Sequence, residues 1–278
     1  MFMKKILLGL SLISVLGFIG YGMAHAVFNW GGGLTFPVTN NFEEVVESNA
    51  PKWEGGYRQL CCEHSAQISK EYRREGTNSV RFELNYADPK VKGSKRSELR
   101  LAAPKFEEDY WYRFSIFVPE TWVDDKIETT VVQWHAVPEK IIMEGGRNPP
   151  LRIGIVDNEW VIDNFWDSRR ITRLPYQPDI AEGYSVLWRD KLQKGTWVDW
   201  EFRIRWSYKE TGIVEVWKNG LSIVTNSGPN TYNDLLAPYL KVGLYVPAWG
   251  DEGVQPKTKK REIYFDEVGM SNAPLTSP

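Results

Sequence analysis

Long stretches of the chain alternate apolar and polar residues with a period of two, the pattern of β-strands that rest one face on a core. Leu240, Val242, Leu244 and Val246 point one way, while Lys241, Gly243 and Tyr245 point the other. Val132 and Trp134 separate likewise from Gln133 and His135, and Leu99 and Leu101 from Arg96, Glu98 and Arg100. The same period predicts strands over Ser79–Leu84, Tyr110–Val118, Leu151–Val156, Trp160–Phe165, Trp197–Trp206 and Glu262–Met270. Ile213–Trp217 and Leu221–Val224 flank Asn219-Gly220, the residue pair of a type I′ hairpin turn, where both central residues need positive φ. Asn40–Asn49 reads as a first strand or a helical turn. Asp167–Asp190 has no steady period and contains Pro175, Pro178 and Gly183, so a long loop is expected there. No stretch repeats at helical spacing. Many strands with short turns predict an all-β sandwich or jelly roll, whose curved sheet offers a long concave groove. The polar faces of the first three segments are expected to line that groove together. Gly243 would there allow close approach of a ligand.

The N-terminus changes where the protein is expected to work. Lys4 and Lys5 precede a charge-free run from Ile6 to Gly22, and Ala24-His25-Ala26 supplies a cleavage site. A signal peptide over 1–26 and a single domain over 27–278 are expected, with a secreted or periplasmic product free of the membrane after cleavage. An uncleaved anchor is the competing reading, since the run approaches the ~20 residues that span a bilayer. Loss of the two lysines takes the formal charge from -2 to a mildly acidic -4, which argues against a nucleic-acid partner. A monomer is expected. Aromatics are 14% of the chain, and all 13 Trp follow residue 26; they suit either a broad β core or sugar-stacking platforms. Cys61 and Cys62 are neighbours, so a bond between them closes a strained ring. Free thiols or an intermolecular bond stand beside that option, and no zinc spacing is present.

A nucleophilic triad finds little support, because only His64 and His135 remain after residue 26 and no Gly-x-Ser-x-Gly elbow occurs. A sugar hydrolase needs paired carboxylates flanking the bond, and no strand places acids at alternate positions in an apolar setting. Arg96, Gln133, His135, Lys241 and Tyr245 instead suit β-elimination beside a carboxylate. In a 4-linked uronic acid, donors around the carboxylate stabilise the charge that spreads as H5 leaves. A phenol of pKa ~10 can move the protons if nearby cations favour its ionised form, and Lys241 or Arg96 would supply them. In glucuronate and mannuronate, H5 and O4 leave from one side, so one Tyr serves both. In guluronate and iduronate they leave from opposite sides, and His135 would be the base. Lys241, Arg100, Glu98 and Arg152 are the substrate-binding candidates, with Glu98 alternatively an ion-pair partner for Arg96 or Arg100. Each residue also has a plainer reading: a sheet hydrogen bond for His135, a solvated Lys241, a core-edge Tyr245.

Taken together, Arg96-Ser97-Glu98-Leu99-Arg100, Gln133-Trp134-His135 and Tyr239-Leu240-Lys241-Val242-Gly243-Leu244-Tyr245 resemble, in order, three blocks of the jelly-roll alginate lyases. Those blocks read R-[TS]-E-L-R, Q-[IV]-H and Y-F-K-A-G-x-Y. Tyr110–Pro119, Pro149-Pro150-Leu151, Trp206-Ser207 and Val214–Trp217 before Asn219-Gly220 resemble the related heparin lyase I-like and glucuronan lyase group. The resemblance runs from about Asn41 to Val268. It implies a concanavalin-like β-jelly roll that cleaves an anionic polysaccharide by elimination, glucuronan-type first and alginate second, with no catalytic cofactor. It implies Tyr245 as acid, and as base too for glucuronate. His135 and Gln133 would neutralise the carboxylate, with Arg96 assisting and Lys241 holding substrate. Some relatives carry a structural calcium, for which Glu43, Glu44 and Asp266 are the candidate ligands. Trp134 and Leu240 depart from the blocks, both on the core-facing side. The rival readings are a carbohydrate-binding module or lectin using the same groove, and a glycoside hydrolase on a similar sandwich.

Overall fold

The alternating segments pair edge to edge into two antiparallel sheets in a computed structural model that describes residues 35–44, 51–54, 56–101, 103–173 and 181–275. The expected signal peptide, 1–26, lies outside the described residues. In chain order the strands are β1 (Val38–Asn40), β2 (Gly56–Gln59), β3 (Ala66–Ser69), β4 (Ser79–Asn85), β5 (Arg96–Leu101), β6 (Asp109–Phe117), β7 (Thr129–His135) and β8 (Leu151–Val156). They continue with β9 (Glu159–Trp166), β10 (Gly183–Lys191), β11 (Trp197–Arg205), β12 (Ile213–Lys218), β13 (Leu221–Ser227), β14 (Tyr239–Tyr245) and β15 (Lys260–Ser271). One sheet has eight strands in the order β13-β12-β11-β6-β15-β4-β3, with β1 also on β15; the other has seven, in the order β10-β9-β8-β7-β14-β5-β2. Among the described residues there is no α-helix, and none is long and apolar enough to cross a membrane. The architecture is the expected all-β jelly-roll sandwich.

The inner faces meet through aromatic side chains. The Trp134 ring on β7 lies 4.8 Å from Phe202 on β11 and 5.3 Å from Tyr112 on β6, and Trp160 lies 5.6 Å from Trp200. Trp134, Trp160, Trp200 and Trp206 are all fully buried. These four indoles are core, as facing sheets require of the inward half of an alternating pattern. The hairpin forms as expected, with Asn219 at φ 50° and Gly220 at φ 76°.

Three local readings need correction, and the choice left open for the cysteines is decided. The last third of the anticipated 167–190 loop is β10, paired along β9, while 174–180 lie outside the described residues. A bulge between Val186 and Trp188 shifts the alternation by one residue, which hides the strand from a period-two reading. The short strands β2 and β3 also escaped that reading. Cys61 and Cys62 are bonded to each other, and no described cysteine is free. Gly243 serves the backbone rather than a ligand: its φ is 133°, and a Cβ there would sit 2.2 Å from the Ser97 carbonyl oxygen. β14 bulges against β7 at this point, so a glycine is needed to keep it against β5.

Candidate active site

The sheet registers bring the polar faces into rows. Antiparallel partners point their side chains to the same side, so Arg100, Lys241, Gln133, Arg152 and Asp163 form one row across β5, β14, β7, β8 and β9. Tyr239 stands opposite His135, and Tyr245 stands between Arg96 and Thr130. Every residue of β7 and β14 is buried except the last of each, His135 and Tyr245. The two groups able to move protons are thus the ones the groove can reach. They lie on opposite sides of the Lys241–Gln133 row, displaced from it along the strands in opposite directions.

Beneath them lies a closed polar layer centred on Glu98. Its carboxylate accepts from Gln133 Nε2 at 2.5 Å, from Lys241 Nζ at 2.5 Å and from Arg96 Nη1 at 3.2 Å. Arg96 also donates to Gln59 Oε1 at 3.3 Å, and its guanidinium lies 4.6 Å from the centre of the Tyr245 ring. Lys241 Nζ is 6.0 Å from that ring. Arg100 lies between two phenols, 4.4 Å from Tyr57 and 4.6 Å from Tyr239, and the Tyr239 ring stacks on His135 at 5.3 Å. Two cations, Lys241 and Arg96, share the carboxylate of Glu98, and Arg100 adds a third positive charge to the same face, which leaves this part of the groove positive.

That environment decides protonation. Burial, then the charges of Lys241 and Arg96, push His135 down to about 4. Its Nδ1 lies 2.6 Å from the Ala136 carbonyl oxygen. A carbonyl only accepts, so Nδ1 carries the hydrogen and the neutral ring keeps a lone pair on Nε2. Burial pushes Lys241 down to about 8 despite Glu98, because Arg96 and Arg100 work against it. Tyr239 is pushed up by burial, against the charge of Arg100.

Three of the four anticipated substrate contacts are engaged by the protein itself. Lys241 and Glu98, with side chains 0% and 3% exposed, are ion-paired with each other. Desolvation forces this pairing, since a buried ion without a partner costs several kcal/mol, ~3–5 on removal of one member. Arg152 shares the row of Gln133 but turns away from it. Its Nε and Nη2 donate to Asp163 at 2.7 and 2.8 Å, and its Nη1 lies 2.8 Å from Glu128. Tyr57, Tyr239, Asp163 and Glu128 were not singled out as site residues from the sequence. Only Tyr239, inside the third motif block, carried a signal there.

The candidate calcium ligands do not assemble. Glu43 accepts from Thr77 and Asn78, Glu44 pairs with Lys52, and Asp266 accepts the amides of Arg74, Glu75 and Glu267. Among the described residues, the groups close enough to share an ion are Glu139, Glu144 and Asp234, and Cys61, Cys62, His64 and Asp88. Arg147 and Arg170 already answer the first set, and the disulfide removes both thiolates from the second.

Comparison with known proteins follows the same lines. A family model described as "Polysaccharide lyase" matches residues 41–269. No curated protein sequence matches the chain. Among solved structures, an endo-β-1,4-glucuronan lyase from the fungus Trichoderma reesei superposes with a TM-score of 0.69 at 20% identity, over 84% of this chain and 94% of that one. The catalytic domain of a GH131 β-glucanase from Podospora anserina superposes with a TM-score of 0.52 at 12% identity, over 89% of this chain and 97% of that one. At such identities the superpositions establish the shared fold.

Proposed function

The chain belongs to the polysaccharide lyase family, and from that premise we propose that it cleaves a 4-linked uronic-acid polymer by β-elimination after export from the cytoplasm. A glucuronan-type chain is the first candidate substrate and alginate the second. The observation that carries this reading is the bracketing of the positive Arg96–Lys241–Gln133 region by His135 and Tyr245, the two residues that end otherwise buried strands. The uronate carboxylate sits over this region, where the second amide hydrogen of Gln133 and the guanidinium charges stabilise it as electron density shifts from C5. The C5–H bond breaks, its electron pair forms the C4=C5 double bond, and the C4–O4 bond breaks with its electrons on O4.

For a glucuronate, Tyr245 takes H5 and returns a proton to O4 from the same face. His135 enters as an acceptor: with Nδ1 committed to Ala136, its Nε2 suits a base on the opposite face, as a guluronate needs. Neutralising the carboxylate then falls to Gln133, Arg96 and Arg100. Lys241 and Glu98 position those groups and set the local charge without touching substrate. The hydrolase alternative would place two carboxylates at the centre, whereas Glu98 is buried among cations. Incubation with a panel of uronic-acid polymers, followed by the ultraviolet absorbance of the unsaturated product, tests the proposal. Saturated ends, or no product from any uronate polymer, would reject it.

A further inference from the structure

Charge and surface change along the groove. Over β5 and β14, Arg96, Arg100 and Lys241 outnumber Glu98. Toward β8, β9 and β10 that excess is gone. Arg152 is held by both Asp163 and Glu128, Arg189 pairs with Glu159 at 3.2 Å, and Lys191 stands opposite Glu159, so three cations meet three carboxylates. Arg152 therefore has no charge to spare for a substrate carboxylate, and a second acid group here would face Glu128 and Asp163.

Beside this neutralised cluster stands an apolar surface. Phe165 on β9 and Tyr184 on β10 are cross-strand partners on the same face as Asp163, and their rings lie 4.6 Å apart. Tyr184 is 52% exposed on the edge strand β10, and Val186, its neighbour on the same face, is exposed as well, so a contiguous apolar patch faces solvent here. The pair lies three and four strands from β14, roughly 14–19 Å at the spacing of a sheet. That places it along the line of a polymer crossing the strands.

We infer that Phe165 and Tyr184 form a subsite that carries the apolar ring face of a pyranose lacking a free carboxylate, so that the acid groups of the substrate are read only over β5, β14 and β7. The inference rests on the lyase reading and narrows its substrate class. The suited polymer has uronates at the cleavage site and neutral or masked sugars within reach toward β10. The donors of Arg152 and the acceptors of Asp163 and Glu128 then serve sugar hydroxyls.

Two probes test it: glucuronan, and the same polymer with part of its carboxyl groups reduced to alcohols. Binding is measured on Tyr245→Phe, alone and combined with Tyr184→Ala or Tyr184→Phe; cleavage is measured on the otherwise native enzyme. The reduced polymer is expected to bind at least as tightly as the fully acidic one. Tyr184→Ala is expected to weaken its binding about five- to tenfold and to leave kcat on the shortest cleaved chains unchanged, while Tyr184→Phe behaves as the parent. Equal binding by Tyr184→Ala and the parent, or an affinity that falls in step with lost carboxylates, overturns the subsite. Failure of the lyase reading looks different: the polymers bind in a Tyr184-dependent way, yet none is cleaved.

Discussion

The ammonium of Lys241 lies 2.5 Å from the carboxylate of Glu98, and neither side chain reaches solvent. This pair fixes the layer on which Arg96 and Gln133 rest. Glu98→Gln leaves two buried cations without a counter-charge, and a loss of about 3–5 kcal/mol in unfolding free energy is expected. Urea denaturation reads it directly. Adding Lys241→Met to that variant should recover part of the loss, because the orphaned charge is gone. A single variant as stable as the parent would show that the pair does not hold the layer.

Tyr245→Phe keeps the ring beside Arg96 and removes only the hydroxyl. Loss of a positioned acid–base group lowers turnover by ~10²–10⁴-fold, and polymer binding should persist. Product absorbance and a binding isotherm on the same preparation separate the two effects. Residual turnover near the parent rate would move the chemistry to another residue.

The pH dependence follows from His135. Its imidazole has an ordinary value of 6.5 and is pushed down to about 4 by burial and the Lys241 charge. Between those values the unfolded chain binds more protons than the folded one. This contribution to stability is therefore intact above about 6.5 and is lost as pH falls toward 4. On substrates that use His135 as base, the acid limb of kcat/KM should lie near 4 rather than 6.5. His135→Gln should abolish that limb's contribution on guluronate-type chains and spare cleavage of glucuronate-type chains by a larger margin. Equal losses on both would contradict the division of labour between His135 and Tyr245.

Gly243→Ala inserts a methyl group 2.2 Å from the Ser97 carbonyl oxygen at a φ of 133°. Backbone in this region costs a non-glycine residue on the order of 1–3 kcal/mol, and the clash adds to it. A lower thermal midpoint and reduced turnover are expected together, since β14 would shift away from β5. A variant indistinguishable in both would mean that the bulge relaxes freely.

The sequence was most informative where local rules act alone. Val198, Trp200, Phe202, Ile204 and Trp206 announce a core strand by alternation, and Asn219-Gly220 announces its turn by the φ values it tolerates. Where two local rules overlap, the reading failed: the bulge at Leu187 moved Tyr184 and Val186 out of phase with the rest of β10. Gly243 was visible as an exception, but its reason lay in the neighbouring strand.

Alternation by itself determined that Gln133 and His135 share a face, as do Lys241 and Tyr245, and Arg96, Glu98 and Arg100. A period of two is a property of the extended backbone and needs no partner. Which of these groups is paired and buried, and which reaches the groove, was decided only by the fold. Register set Lys241 against Arg100 and Gln133, and burial then forced its charge onto Glu98, 143 residues away in sequence. Desolvation acts on the assembled sheet and not on the strand, so the same pattern yields a buried ion pair at one position and a reachable phenol four residues later.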